Sequence, residues 1–154
     1  MQKATTTQIK LMQKACLLCD KSKCGYKIGC IAVKDGKVLV QAFNESLPGE
    51  SYCQNGACYR EQHGLRGGKE IEKVCAIHAE ASIVAQAAAK GVRLLGCDVY
   101  VTTFPCLICA RLLCKANVGR IFYMSDYMGG NDCMDLFDSN GVGVTQILEK
   151  DVWK

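Results

Sequence analysis

No apolar run in this 154-residue chain approaches the roughly 18 residues that a bilayer-spanning helix requires. The N-terminus also lacks the apolar core of a secretory signal: Thr5, Thr6, Thr7, Gln8 and Lys10 stand where it would be, so a soluble, cytoplasmic protein is expected. Charge of one sign is scarce too. A net charge of +4, with the lysines scattered, falls short of a dedicated nucleic-acid binder. There is no internal repeat, linker or low-complexity tract, which leaves residues 1–154 as one expected domain. With 49% apolar residues the chain is not disordered, and at this length it can bury about two-thirds of its unfolded surface without disulfides.

Cysteine, by contrast, is abundant: there are 12. In a reducing compartment such residues bind metal or do chemistry more often than they pair. Their spacing points to metal, since the set includes Cys16-x2-Cys19, Cys53-x4-Cys58 and Cys106-x2-Cys109.

Periodicity predicts a helix from about Thr5 to Lys21, then two strands, Lys27 to Lys34 and Lys37 to Phe43, joined by the turn signal Asp35-Gly36. From Asn44 to Lys73 the pattern dissolves into a long loop of the kind that is functional or pinned by something. A helix is expected over Ala79 to Lys90, stopped by Gly91, then a strand from Cys97 to Thr103 and a helix opened by Pro105. The strand Gly119 to Met124, a helix near Asp132 to Ser139 and a strand Val142 to Leu148 complete the order α-β-β-α-β-α-β-α-β. That alternation predicts an α/β sandwich whose later strands are parallel.

Two fragments carry the chemistry: His78-Ala79-Glu80 at one helix start, and Pro105-Cys106-Leu107-Ile108-Cys109 at the next. Both are expected at strand-to-helix junctions on the same edge of a sheet. Cys106 and Cys109, three apart, share one face of a helical turn. With His78 they offer three ligands and leave a fourth position open, the pattern of a catalytic zinc. Helix N-termini favour thiolate at both cysteines. Glu80 stands beside the set as a carboxylate able to take a proton from water and hand it on. Either fragment alone has bland readings: a helix-capping histidine, a redox pair, or two core thiols. Together and in this order they point to zinc.

With these motifs in place, the chain resembles the zinc-dependent cytidine/deoxycytidylate deaminase superfamily, and within it the deoxycytidylate (dCMP) deaminase family. The likeness runs from about Ser22 to Tyr127, through Ser22-Lys23-Cys24, Lys27 to Val33, Phe43-Asn44, Cys75 to Glu80, Val101 to Ala110, Ile121-Phe122-Tyr123 and Asp126-Tyr127. It implies a three-layer α-β-α, cytidine-deaminase-like fold with a five-stranded mixed sheet flanked by helices. It also implies hydrolysis of dCMP to dUMP and ammonia, with His78, Cys106 and Cys109 on zinc and Glu80 shuttling protons. Asn44 would contact the sugar, the backbone of Ala79 the base, and Tyr127 the phosphate end. A homo-oligomer, dimer or hexamer, is implied as well. Where the family has Gly-Tyr-Asn-Gly this chain has Ala42-Phe43-Asn44-Glu45, and Ser82 replaces a usual asparagine, so the resemblance leaves open both regulation by dCTP and dTTP and the number of phosphates on the substrate.

The resemblance further implies a second, structural zinc on Cys24, Cys53, Cys58 and Cys75, which would pin the long loop. The alternative is four ordinary buried thiols. His63 could replace one of these cysteines or simply be solvated. Arg60, Arg66, Lys69, Lys73 and Lys27 are candidates to grip a phosphate, set against a plain solvated face. Rival functions are deamination of cytidine or deoxycytidine, of dCTP or of tRNA adenosine. Outside catalysis, a silent zinc-stabilised scaffold acting as a binding module stands against them all.

Overall fold

A computed structural model describes residues 3–50, 58–65, 70, 73, 76–127 and 131–153. Helix α1 (Thr6–Cys19) begins at a reciprocal cap, Gln8 N–H on Thr5 Oγ1 and Thr5 N–H on Gln8 Oε1. Its buried stripe is Leu11, Met12, Ala15 and Leu18, which leaves Cys16 and Cys19 at the margin of that stripe. Strands β1 (Gly29–Lys34) and β2 (Lys37–Phe43) form the expected hairpin. Asp35 and Gly36 both have positive φ, as a turn of the kind that matches strand twist requires.

The long loop departs from expectation. Within it lie a two-residue strand β3 (Glu45–Ser46) and a single helical turn α2 (Tyr59–Gln62). Strand β3 pairs antiparallel with β4 (Ala76–Ile77), so His78 follows this separate small ladder and not a strand of the main sheet. Two-residue strands carry no readable alternation, which is why the sequence pattern passed over them.

Helix α3 (Ala79–Lys90) ends at Gly91 in the left-handed region. Then follow β5 (Asp98–Thr103), α4 (Leu107–Lys115), β6 (Arg120–Ser125), α5 (Asn131–Ser139), β7 (Gly143–Gln146) and a short, unexpected α6 (Glu149–Val152). The sheet order is β2-β1-β5-β6-β7; the first two pairings are antiparallel and the last two parallel. This is the expected mixed five-stranded sheet.

Strand alternation divides the core into two layers. Cys30, Ala32, Val99, Val101 and Ile121 face α3, α4 and α5, while Ile31, Val33, Tyr100 and Phe122 face α1 and α6. Helix α1 crosses β1 so closely that a Cβ at Gly29 would overlap the carbonyl of Ala15. Cys30, Cys97 and Cys133 are buried, and every cysteine among the described residues is a free thiol.

Candidate metal centre

His78 and Cys106 are the residues immediately before α3 and α4, and neither side chain caps its helix. Helices α3 and α4 pack against each other, which brings their two N-termini together. Cys109 lies within the first turn of α4 and is buried. The result is a compact set of donors: His78 Nδ1 is 3.5 Å from Cys106 Sγ and 3.6 Å from Cys109 Sγ. All three donor atoms fall within 4.8 Å of one another.

Those distances fit a zinc ion. Bonds of about 2.0 Å to nitrogen and 2.3 Å to sulfur at a tetrahedral angle place the two donors about 3.5 Å apart. The electrostatics fit as well. Hydrogen bonding from Cys109 and then from His78 pushes the Cys106 thiol down to about 4. Cys109 is driven far up, first by its hydrogen bond to Cys106 and then by burial. His78 is raised, chiefly by its hydrogen bond with Cys106. A site that gathers anionic sulfur at two positive helix ends suits a soft or borderline cation.

Glu80, in the first turn of α3, is only 3% exposed, and its Oε2 is a buried oxygen without a hydrogen-bond partner. Burial pushes its carboxyl up to about 7, opposed by its own backbone N–H and by His78. A buried carboxyl that titrates near neutrality beside a set of metal donors is equipped to give and take protons. Ala79 is fully buried as the first residue of α3, so its N–H has no partner within the helix.

Asn44 adjoins the same small ladder as His78: Glu45 pairs with Ile77 in β3–β4, and Asn44 and His78 are the residues that flank that pair. Asn44 is 7% exposed. Its Oδ1 accepts from Ser22 Oγ (2.9 Å) and Ile28 N–H (2.8 Å), and its Nδ2 donates to the carbonyl of Tyr26 (2.7 Å). Tyr127 is partly buried and raised by burial first; Cys106 and Glu80 add to the rise and Arg60 opposes it. Arg60 acts likewise on His78.

The other candidates scatter. Cys24 is buried and Cys58 half-buried; a Cβ at Gly25, next to Cys24, would lie 3.9 Å from Cys58 Sγ. Cys53 and Cys75 lie outside the described residues, as do Arg66 and Lys69. Lys73 pairs with Glu70, and Lys27 is exposed. His63 stacks on Tyr59 at 4.0 Å and places its Nδ1 on the Tyr59 carbonyl. Ser22 was read from the sequence only as part of a motif. Its contact with Asn44, 22 residues away, has no local signature.

The family model for the cytidine and deoxycytidylate deaminase zinc-binding region matches residues 5–125. ComE operon protein 2 of Bacillus subtilis is 29% identical over 139 residues, which cover 88% of this chain and 68% of that protein. The deoxycytidylate deaminase of Schizosaccharomyces pombe is 26% identical over 141 residues; the match takes in 89% of this chain but 42% of the yeast protein. Among solved structures, a dCMP deaminase from the cyanophage S-TIM5, in complex with dCMP and dUMP, superposes with a TM-score of 0.75. It shares 22% identity and covers 95% of this chain and 100% of its own, which is a likeness of fold.

Proposed function

The chain belongs to the cytidine and deoxycytidylate deaminase zinc-binding family, and on that premise we propose that it is a hydrolytic deaminase converting dCMP to dUMP and ammonia. The observation that carries this reading is the His78, Cys106 and Cys109 trio with the buried, unpartnered carboxyl oxygen of Glu80 beside it. The names of the relatives support dCMP over other cytosine compounds.

His78, Cys106 and Cys109 would hold the zinc ion. When bound there, zinc supplies a Lewis acid that makes water a competent nucleophile at neutral pH. Glu80 does the proton work: its carboxyl takes a proton from the attacking water and delivers it to ring N3, then takes the second proton from the new C4 hydroxyl and passes it to the departing amine as the C–N bond breaks. A carboxyl poised at about 7 performs both halves of that exchange. The free N–H of Ala79 donates to the base carbonyl, Asn44 meets the sugar, and Tyr127 meets the phosphate end.

A second zinc on Cys24, Cys53, Cys58 and Cys75 belongs to the same reading, supported by the approach of Cys58 to the residue beside Cys24. So does a single deaminase domain over residues 1–154 that assembles as a homo-oligomer, dimer or hexamer, supported by exposed Ile108 and Leu112 on α4 and Met134 on α5. Among the described residues no helix is long and apolar enough to cross a membrane, which is consistent with a cytoplasmic enzyme.

The test is ammonia release from dCMP, CMP, deoxycytidine, dCTP and a tRNA adenosine stem-loop, with Glu80→Gln as the blank. Preference for dCMP is expected. Turnover of another member of the panel alone would keep the chemistry and replace the substrate. Silence on all five with zinc bound would leave a binding scaffold.

A further inference from the structure

Asn44 is held by an unusually complete set of hydrogen bonds, and the least obvious member of that set is Ser22. The hydroxyl of Ser22 shares its proton between the Asn44 backbone carbonyl (2.7 Å) and the Asn44 Oδ1 (2.9 Å). It accepts in turn from the Cys24 N–H at 3.2 Å. Ser22 is 3% exposed, so no solvent competes for these bonds.

The orientation of the Asn44 carboxamide is unambiguous. Ile28 offers a backbone N–H and Tyr26 a backbone carbonyl, so Oδ1 must face the first and Nδ2 the second. Oδ1 then has both acceptor positions filled, by Ile28 and by Ser22. Nδ2 has spent one of its two hydrogens on Tyr26. What remains for a ligand is a single N–H, in a residue that adjoins the end of the β3–β4 ladder from which His78 follows.

From this we propose that Ser22 is a positioning residue for substrate recognition, acting through Asn44. By occupying the second lone pair of Oδ1 it fixes the carboxamide as a donor only, so the substrate atom that Asn44 meets must be an acceptor: a sugar hydroxyl oxygen or ring oxygen. A pre-set carboxamide also surrenders no rotamer freedom on binding. The inference rests on the reading that Asn44 contacts the substrate.

A double-mutant cycle tests it in the zinc-loaded protein, with whichever nucleotide of the panel turns over fastest. Ser22→Ala is expected to lower kcat/KM about tenfold, mostly through KM, with zinc content unchanged. In an Asn44→Ala background the same change is expected to cost less than twofold. Ser22→Thr, which keeps the hydroxyl, is expected to recover most of the loss. An equal loss in both backgrounds would overturn the proposal, because Ser22 would then act by some route other than Asn44. If Asn44→Ala alone left KM unchanged, the substrate-contact reading would fall, and this inference with it. A preferred nucleotide other than dCMP would overturn only the substrate assignment.

An NMR arm needs no turnover and tolerates poorly folding double variants. The Nδ2 hydrogens of Asn44 should exchange with solvent at least tenfold faster in Ser22→Ala than in the parent. Unchanged protection would show that Ser22 does not hold the carboxamide, and the proposal would be wrong.

Discussion

Nδ1 of His78 and Sγ of Cys106 lie 3.5 Å apart although 28 residues separate them in the chain. Both residues stand just ahead of a helix, and neither spends its side chain on capping it. A residue in that position usually satisfies the helix's own N–H groups. Here the capping role is given up, and the side chains turn to each other with Cys109.

Replacing Cys106 with alanine should therefore lower bound zinc by one ion per chain and abolish turnover. Stripping the metal with a chelator should lower the melting temperature of the parent protein, since an ion that binds only the folded state stabilises it by mass action. Metal analysis and a thermal melt check both, and an unchanged zinc content in the Cys106 variant would place the ion elsewhere.

Glu80→Gln should keep zinc and fold and cost about 10²–10⁴ in turnover, the usual worth of a positioned acid–base group. The glutamine is isosteric and neutral, so it relieves the buried carboxyl of charge without opening a cavity. Ammonia release at saturating substrate, paired with metal analysis, decides it.

In metal-free protein the same carboxyl makes stability depend on pH. Its folded-state value is raised from 4.5 to about 7 by burial, so its stabilising contribution is complete below about 4.5 and is lost as pH rises through 7. That gap corresponds to ~3 kcal/mol. Urea unfolding of the chelated parent and of Glu80→Gln should therefore diverge as pH rises from 4.5 to 8, the parent losing more. Parallel curves would count against a buried ionising Glu80.

Gly29→Ala should be severely destabilising, by more than ~3 kcal/mol. The added methyl would overlap the Ala15 carbonyl of α1, and Leu18 Cβ stands only 3.1 Å from the same point. The helix backbone at Ala15, and a Cβ fixed directly to that helix at Leu18, leave little to yield. Denaturant midpoints measure the loss.

Arg120→Ala should do little by comparison. Its guanidinium grips Asp98 with two bonds of 2.7 and 2.6 Å, but the arginine side chain is 58% exposed. A loss under ~1 kcal/mol, shrinking further in 0.5 M salt, is the expected result. A larger, salt-insensitive loss would point to a packing role over Phe122, whose ring the guanidinium covers at 5.3 Å.

Much of the centre was readable before the fold. His78-x-Glu80 and Cys106-x2-Cys109 each fit within one helical turn, so the relation of their members is local. The main strands and helices were readable too, because each is long enough for alternation or helical spacing to repeat. The β3–β4 ladder and α2 were not, since two to four residues carry no period.

The sequence by itself determined which residues are the candidate donors, which carboxylate stands beside them, the succession of the five main strands along the chain and the Asp35-Gly36 turn, all of which rest on residue type and short-range spacing. Only the tertiary structure decided that α3 and α4 start side by side, that Asn44 and His78 flank the β3–β4 ladder, and that Ser22 bonds the Asn44 carboxamide. Those relations depend on strand register and helix packing across gaps of 22 to 34 residues. No local propensity encodes them; the burial of two apolar layers against one sheet does.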